Sequence, residues 1–122
     1  MWLQRTGFEG EQAFYEFIYR YAKPHWRILH RNWIYLNGRV ECDFIMITRV
    51  GIYCFEIKNY NGNLIYEHHQ QTINHRNVSG DILGQFKNMR DKTWDIFQRM
   101  NYTGDTQHYL VYINPYHYAT LP

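Results

Sequence analysis

The stretch Glu41-Cys42-Asp43-Phe44-Ile45-Met46-Ile47-Thr48-Arg49-Val50-Gly51-Ile52-Tyr53-Cys54-Phe55-Glu56-Ile57-Lys58 decides how this chain is read. It divides into two runs rich in β-branched and aromatic residues, Val40 to Thr48 and Gly51 to Asn59, joined by Arg49-Val50. Such runs read as adjacent strands. Side chains along a strand alternate between its faces. With a two-residue loop, Thr48 stands opposite Gly51, and Asp43 then falls directly opposite Glu56. Lys58, two residues beyond Glu56, shares their face. A slip of one residue would part the two carboxylates.

Carboxylates that face each other across a strand pair repel. An ionised carboxylate in an apolar strand is costly unless it is paired or bound to metal. Two readings of Asp43 and Glu56 stand at this point. In one, a divalent cation lies between them, and Lys58 orients a water or balances phosphate charge. In the other, both sit at solvated strand ends, and Glu56-x-Lys58 is a surface ion pair worth little.

Upstream, a helix is expected from Thr6 or Gly7 to Lys23-Pro24, with Phe14, Phe17, Ile18 and Tyr21 as its buried stripe. Glu11 lies on or beside that stripe. It is read either as a helix N-terminal carboxylate favoured by the dipole or as a group pointing toward Asp43. His25 to Leu36 reads as a strand, and Asn37-Gly38 is a turn signal into the next one. Downstream, Asn59 to Asn63 reads as a turn and Leu64 to Tyr66 as a short strand. Glu67 to Asn77 forms a second hairpin arm, ending at Val78. A second helix starts from a Ser79 or Gly80 cap and runs to about Asn101, with Gly104 in the loop beyond. Its stripe is Ile82, Leu83, Phe86, Met89, Thr93, Ile96, Phe97 and Met100. Gln85 lies at the stripe's edge, where a glutamine either satisfies a backbone group or serves a site. Lys87, Arg90 and Lys92 decorate the helix as a solvated face that could also touch phosphates. His108 to Ile113 reads as a buried strand. A crossover helix before it places it parallel to its neighbour. The elements follow the order α-β-β-β-α-β: an α/β (α+β) chain with a central mixed sheet flanked by helices.

A length of 122 residues suits one domain, and the stop at Leu121-Pro122, just after a core strand, suggests a piece of a longer chain. With 45% hydrophobic and 19% aromatic residues, the composition is that of a globular protein rather than a disordered one. A net charge of +2 permits nucleic-acid binding without arguing for it. In the register above, Cys54 faces with Glu56 and Cys42 faces the other way, so no disulfide joins them. They read as buried thiols in a reducing compartment. No apolar run is long enough to span a membrane, and no signal peptide precedes the first helix, so the expected compartment is cytoplasmic. The histidines, His68-His69 included, have no zinc-site spacing with cysteines. No phosphate-cradling glycine loop and no supported Ser or Cys nucleophile is present.

The stretch resembles the PD-(D/E)xK nuclease superfamily, whose signature is an Asp, a spacer and a Glu-x-Lys on the next strand. More closely, the chain resembles the nuclease-related domain (NERD). The matching pieces are Gly7-Phe8-Glu9-Gly10-Glu11, Trp26-Arg27-Ile28-Leu29-His30, Glu41 to Ile47, Gly51 to Gly62, and Gln85 in the late helix. They run in order over residues 7 to 113. Cys42 stands where the superfamily has its proline, a departure this family tolerates. The resemblance implies a PD-(D/E)xK nuclease-like core and metal-dependent phosphodiester hydrolysis. Asp43 and Glu56, with the backbone carbonyl of Ile57, would hold Mg²⁺ or Mn²⁺. Lys58 would position or deprotonate the attacking water, Glu11 would support the metal or its waters, and Gln85 would orient the Lys58 end. The implied partner is nucleic acid, DNA before RNA, without a membrane. Arg49, Asn59, Tyr60, Lys87 and Arg90 are candidate contacts, and a homodimer and further domains of a longer chain are expected partners. The alternative is a catalytically inactive nucleic-acid-binding or protein-interaction module on the same fold.

Overall fold

The computed structural model describes residues 2–35, 39–60, 62–68, 70–74, 76–77, 81–114 and 117–120. The expected Asn37-Gly38 turn, the Ser79 or Gly80 cap and the chain's last two residues lie outside these. Among the described residues there are two helices and two mixed four-stranded sheets. The order is α1 (Trp2–Tyr21), β1 (Arg27–Tyr35), β2 (Arg39–Ile47), β3 (Gly51–Lys58), β4 (Leu64–Glu67), β5 (Gln70–Ile73), β6 (Arg76–Asn77), α2 (Ile82–Arg99), β7 (Asp105–Tyr112) and β8 (Ala119–Thr120). The α-β-β-β-α-β order is present, with β4 to β6 inserted before α2 and β8 added at the end. The added strands form a second sheet that a single central sheet did not foresee. A two-residue strand such as β8 is too short to leave a period in the sequence.

The first sheet has the order β1-β2-β3-β7. Strands β1 and β2 pair antiparallel from Arg27↔Ile47 to Tyr35↔Arg39, and β2 pairs antiparallel with β3 from Ile47↔Ile52 to Phe44↔Phe55. The connection is the expected tight one. Thr48 N–H donates to the Gly51 carbonyl at 3.0 Å, and the Thr48 hydroxyl accepts from Val50 and Gly51 N–H. Strand β7 runs parallel to β3. Gly51 abuts Asp105, Phe55 stacks on Tyr109, and Ile113 N–H donates to the Lys58 carbonyl. A Cβ at Gly51 would lie 2.9 Å from the Asp105 carbonyl, so glycine is what admits β7 at this end. Strand β7 is longer than expected and is not a buried strand. As the edge strand it alternates between exposed and half-buried, because its first half, Asp105-Thr106-Gln107, is polar.

The chain forms two compact units. One comprises Met1–Arg20, Ile57–Ile82 and Val111–Pro122; the other comprises Tyr21–Glu56 and Leu83–Leu110. In the first, the second sheet has the order β6-β5-β4-β8. Leu64↔Ile73 to Glu67↔Gln70 makes an antiparallel hairpin, and β8 adds in parallel through Leu64↔Ala119. Phe14, Ile57, Leu64 and Ile82 are its buried apolar residues. Helix α1 starts a full turn before Thr6, because Trp2-Leu3-Gln4-Arg5 contains no breaker. Its buried strip is Gly10 and Phe14, one turn apart, with Glu11, Tyr15 and Ile18 half-buried beside it. Phe17 and Tyr21, expected inside, are 57% and 63% exposed. The strip follows Gly10 because a Cβ there would sit 2.5 Å from that of Asn59. At the start of α2, the orphan N–H of Ile82 donates to Oε1 of the buried Gln71 at 3.1 Å. This cap comes from another strand, and no local spacing announces it.

In the second unit, α2 lays Met89, Ile96 and Phe97 on Cys42, Ile45 and Cys54. Each fully buried side chain of this size contributes about 1.5–3 kcal/mol. The stripe is as expected except for Met100, which is exposed. The helix ends in a Schellman motif. Asn101 takes a left-handed φ of 59°, Asn101 N–H donates to the Gln98 carbonyl, and Tyr102 N–H donates to the Phe97 carbonyl. The accompanying hydrophobic contact is the edge-on packing of Tyr102 against Phe97. Asn101 therefore stops the helix, three residues before Gly104.

Candidate functional site

The β2–β3 ladder ends at Phe44↔Phe55, so Asp43 and Glu56 are the next residue on each strand. Both line one cleft of about 230 Å³ within the second unit. Its strand side is Glu41, Asp43 and Glu56. Its helix side is Gln85, Asn88, Met89 and Lys92 of α2. The helix residues recur at i, i+3, i+4 and i+7, which is one face of α2. Asp43 is 7% exposed, Glu56 is half-buried, and Glu41, Gln85, Asn88 and Lys92 are exposed at the rim. The cleft thus deepens toward Asp43.

Beneath it lie the two thiols. Cys42 and Cys54 are free and wholly buried in one cluster, not on opposite faces as alternation suggests. Cys42 stands opposite Asn32 in the β1–β2 ladder, and the β2–β3 ladder reaches only to Phe44↔Phe55. The Cys42 thiol hydrogen-bonds Cys54. That bond, burial, and the nearby Glu56 and Asp43 push Cys42 well above the ordinary thiol range. Cys54, accepting from Cys42 and then from His108, is lowered to about 6 against the opposing effect of burial. His108 is held in turn by Thr93 of α2, whose Oγ1 lies 2.6 Å from Nε2.

The structure brings Asp43, Glu56 and Gln85 into this one cleft. Ile57 and Lys58 continue β3, with Lys58 two residues from Glu56 on the same strand. Ile57, Lys58 and Glu11 belong to the first unit and are not among the cleft's lining residues. Of the candidate nucleic-acid contacts, Arg49 is exposed in the β2–β3 turn, and Lys87 and Arg90 are exposed on α2 outside the cleft lining. Asn59 and Tyr60 form a packed turn. Asn59 Oδ1 accepts from Asn114 Nδ2 at 3.0 Å, the Tyr60 carbonyl accepts from the same amide at 3.1 Å, and the Tyr60 ring tilts against Tyr112. Sequence reasoning gave Glu41 no site role, and it gave Asn88 none and Lys92 only a place on a solvated face that could also touch phosphates. The helical spacing from Gln85 is the signal that would have found the latter two.

The donor set suits a hard cation. Carboxylates of Asp43 and Glu56 line the cleft, and Mg²⁺ binds through one or two carboxylates while keeping several waters. Among the described residues no group of three or more His, Cys, Asp or Glu is arranged to hold a metal, so any cation here would rest on the Asp43–Glu56 pair and water. No helix among the described residues is long and apolar enough to cross a membrane.

No curated protein and no solved structure matches the chain. The family model of the nuclease-related domain matches residues 6–117, nearly the whole chain. With Asp43 and Glu56 at the end of one ladder and the match spanning both units, the chain belongs to the nuclease-related domain family.

Proposed function

We propose that this domain is a metal-dependent nuclease that hydrolyses phosphodiester bonds of nucleic acid, DNA in preference to RNA. The observation that carries the reading is the meeting of Asp43 and Glu56 in one cleft with Gln85. Asp43 and Glu56, with the Ile57 carbonyl, would hold Mg²⁺ or Mn²⁺. The ion would supply charge neutralisation at the phosphate and an acidified water. Gln85 donates its amide N–H to water or phosphate oxygen at the rim. Lys58, following Glu56 on β3, positions the attacking water and offsets the charge that builds on phosphorus oxygens. The domain acts in the cytoplasm, and a two-fold dimer would present two such clefts to a duplex.

One observation favours a second reading. Phe17, Tyr19, Trp94 and Tyr118 are about half or more exposed, as a protein-interaction module would have them. The test is Mg²⁺- and Mn²⁺-dependent cleavage of labelled DNAs and RNAs by the native chain beside Lys58→Ala and Asp43→Asn. Cleavage by the native chain alone, with both variants folded, supports the nuclease. Binding without cleavage at any metal concentration removes it in favour of the silent module.

A further inference from the structure

The cleft has two chemically different walls. The strand wall carries three carboxylates, Glu41, Asp43 and Glu56; the helix wall carries no carboxylate but the amides Gln85 and Asn88, Met89 and the cation Lys92. A cation drawn to the first wall leaves an approaching anion to be met by the second. Lys92 is the one cationic side chain among the residues lining the cleft. Elsewhere on α2, Arg90 pairs with Asp91 and Arg99 with Asp95, both on the surface. Lysine presents a point charge on a flexible stem, which suits a tetrahedral phosphate without demanding one geometry. Asn88, one turn before it, adds amide N–H donors. The volume sets a further limit. About 230 Å³ is below the usual range of roughly 300–1,000 Å³ for pockets that enclose drug-sized ligands. That volume accommodates a phosphate group with a few waters.

We infer that Lys92, with Asn88, is a phosphate-binding wall that seats the backbone phosphodiester opposite the carboxylates, so that the site engages backbone and not base. This rests on the nuclease reading above and assigns to it a residue outside the Asp–Glu-x-Lys signature. Lys92 acts on substrate, whereas Lys87 and Arg90 lie outside the cleft lining.

The experiment is fluorescence anisotropy of labelled duplex DNAs of several sequences, in Ca²⁺ to hold back cleavage, over a range of salt. Native protein, Lys92→Gln, Lys92→Arg and Arg99→Gln are compared, with cleavage in Mg²⁺ run in parallel. The expected result is a loss of roughly tenfold in affinity for Lys92→Gln, the weight of one charge-assisted hydrogen bond. It should be equal for all sequences, with the salt slope shallower by about 0.9. Lys92→Arg recovers most of both, and Arg99→Gln keeps the native slope. A Lys92→Gln slope equal to that of native protein or of Arg99→Gln overturns the inference while native cleavage leaves the nuclease reading standing. So does a melting-point drop in Lys92→Gln without a change in slope, since Lys92 would then be a counter-charge for the carboxylates. Native protein that neither binds nor cuts overturns both.

Discussion

Asp43 and Glu56 are the first residues beyond the last ladder pair of β2 and β3, Phe44↔Phe55, and they line the same cleft. Two carboxylates lining one cleft favour a cation that joins them, and a ligand that binds only the folded state stabilises it. Mg²⁺ at a hundredfold its dissociation constant should therefore raise stability by about 2.7 kcal/mol. For a domain of this size that is on the order of 10 °C in melting temperature. Asp43→Asn and Glu56→Gln should each remove the rise. The double variant should lose no more than either single one, because both serve one ion. Thermal melts in Mg²⁺ and in EDTA check this; a native melting point unmoved by either cation or chelator sinks it.

Thr93 ties α2 to β7. It is 0% exposed, its hydroxyl lies 2.8 Å from the Met89 carbonyl, and it lies 2.6 Å from His108 Nε2. Thr93→Val keeps the shape and deletes the hydroxyl. It should cost about 1–3 kcal/mol, because the half-buried His108 loses that hydrogen bond. In a cycle with His108→Ala the two changes should couple by at least 0.5 kcal/mol. Urea denaturation of the four proteins measures it, and simple additivity would show that the bond carries no net stability.

The tight β2–β3 turn was legible because it depends on one local quantity. A two-residue loop fixes a register, and a register fixes which residues meet; Thr48 and Gly51 hold that loop as expected. The helical stripe from Ile82 to Phe97 was legible for the same reason. What escaped depends on distant parts of the chain. Gln71 caps α2 from another strand, Gly10 sets the buried strip of α1 by admitting Asn59, and Cys42 joins Cys54 in one buried cluster. Lys92 was read as one charge among several, because only the fold tells which charges on α2 border the carboxylates.

Asn101 ends α2 with φ at 59°, a conformation that costs most L-residues about 1–2 kcal/mol. Asparagine tolerates it better than alanine, and glycine does so without a Cβ penalty. Asn101→Ala should lower stability by about 1 kcal/mol, whereas Asn101→Gly should be neutral or stabilising. Chemical denaturation gives both values. A glycine variant less stable than the alanine one would contradict the left-handed cap.

Tyr112 donates its phenol proton to the Gly62 carbonyl, with the Tyr60 carbonyl 3.3 Å away. Burial and then the nearby Tyr60 raise its pKa from 10.0 to about 12. A raised value means that the folded state holds this proton more tightly than the unfolded chain does. The stabilisation is whole below pH 10, falls as pH climbs from 10 toward about 12, and is gone above that. Tyr112→Phe removes the donor and leaves the buried Gly62 carbonyl short of a partner, at a cost of about 1–3 kcal/mol at neutral pH. The gap in stability between native protein and Tyr112→Phe should therefore close as pH rises through that window. In parallel, the difference in phenolate absorbance between the two should show a late-titrating tyrosine. A constant gap, or a missing tyrosine signal that titrates near 10, would mean that the Tyr112 proton is not held by the fold.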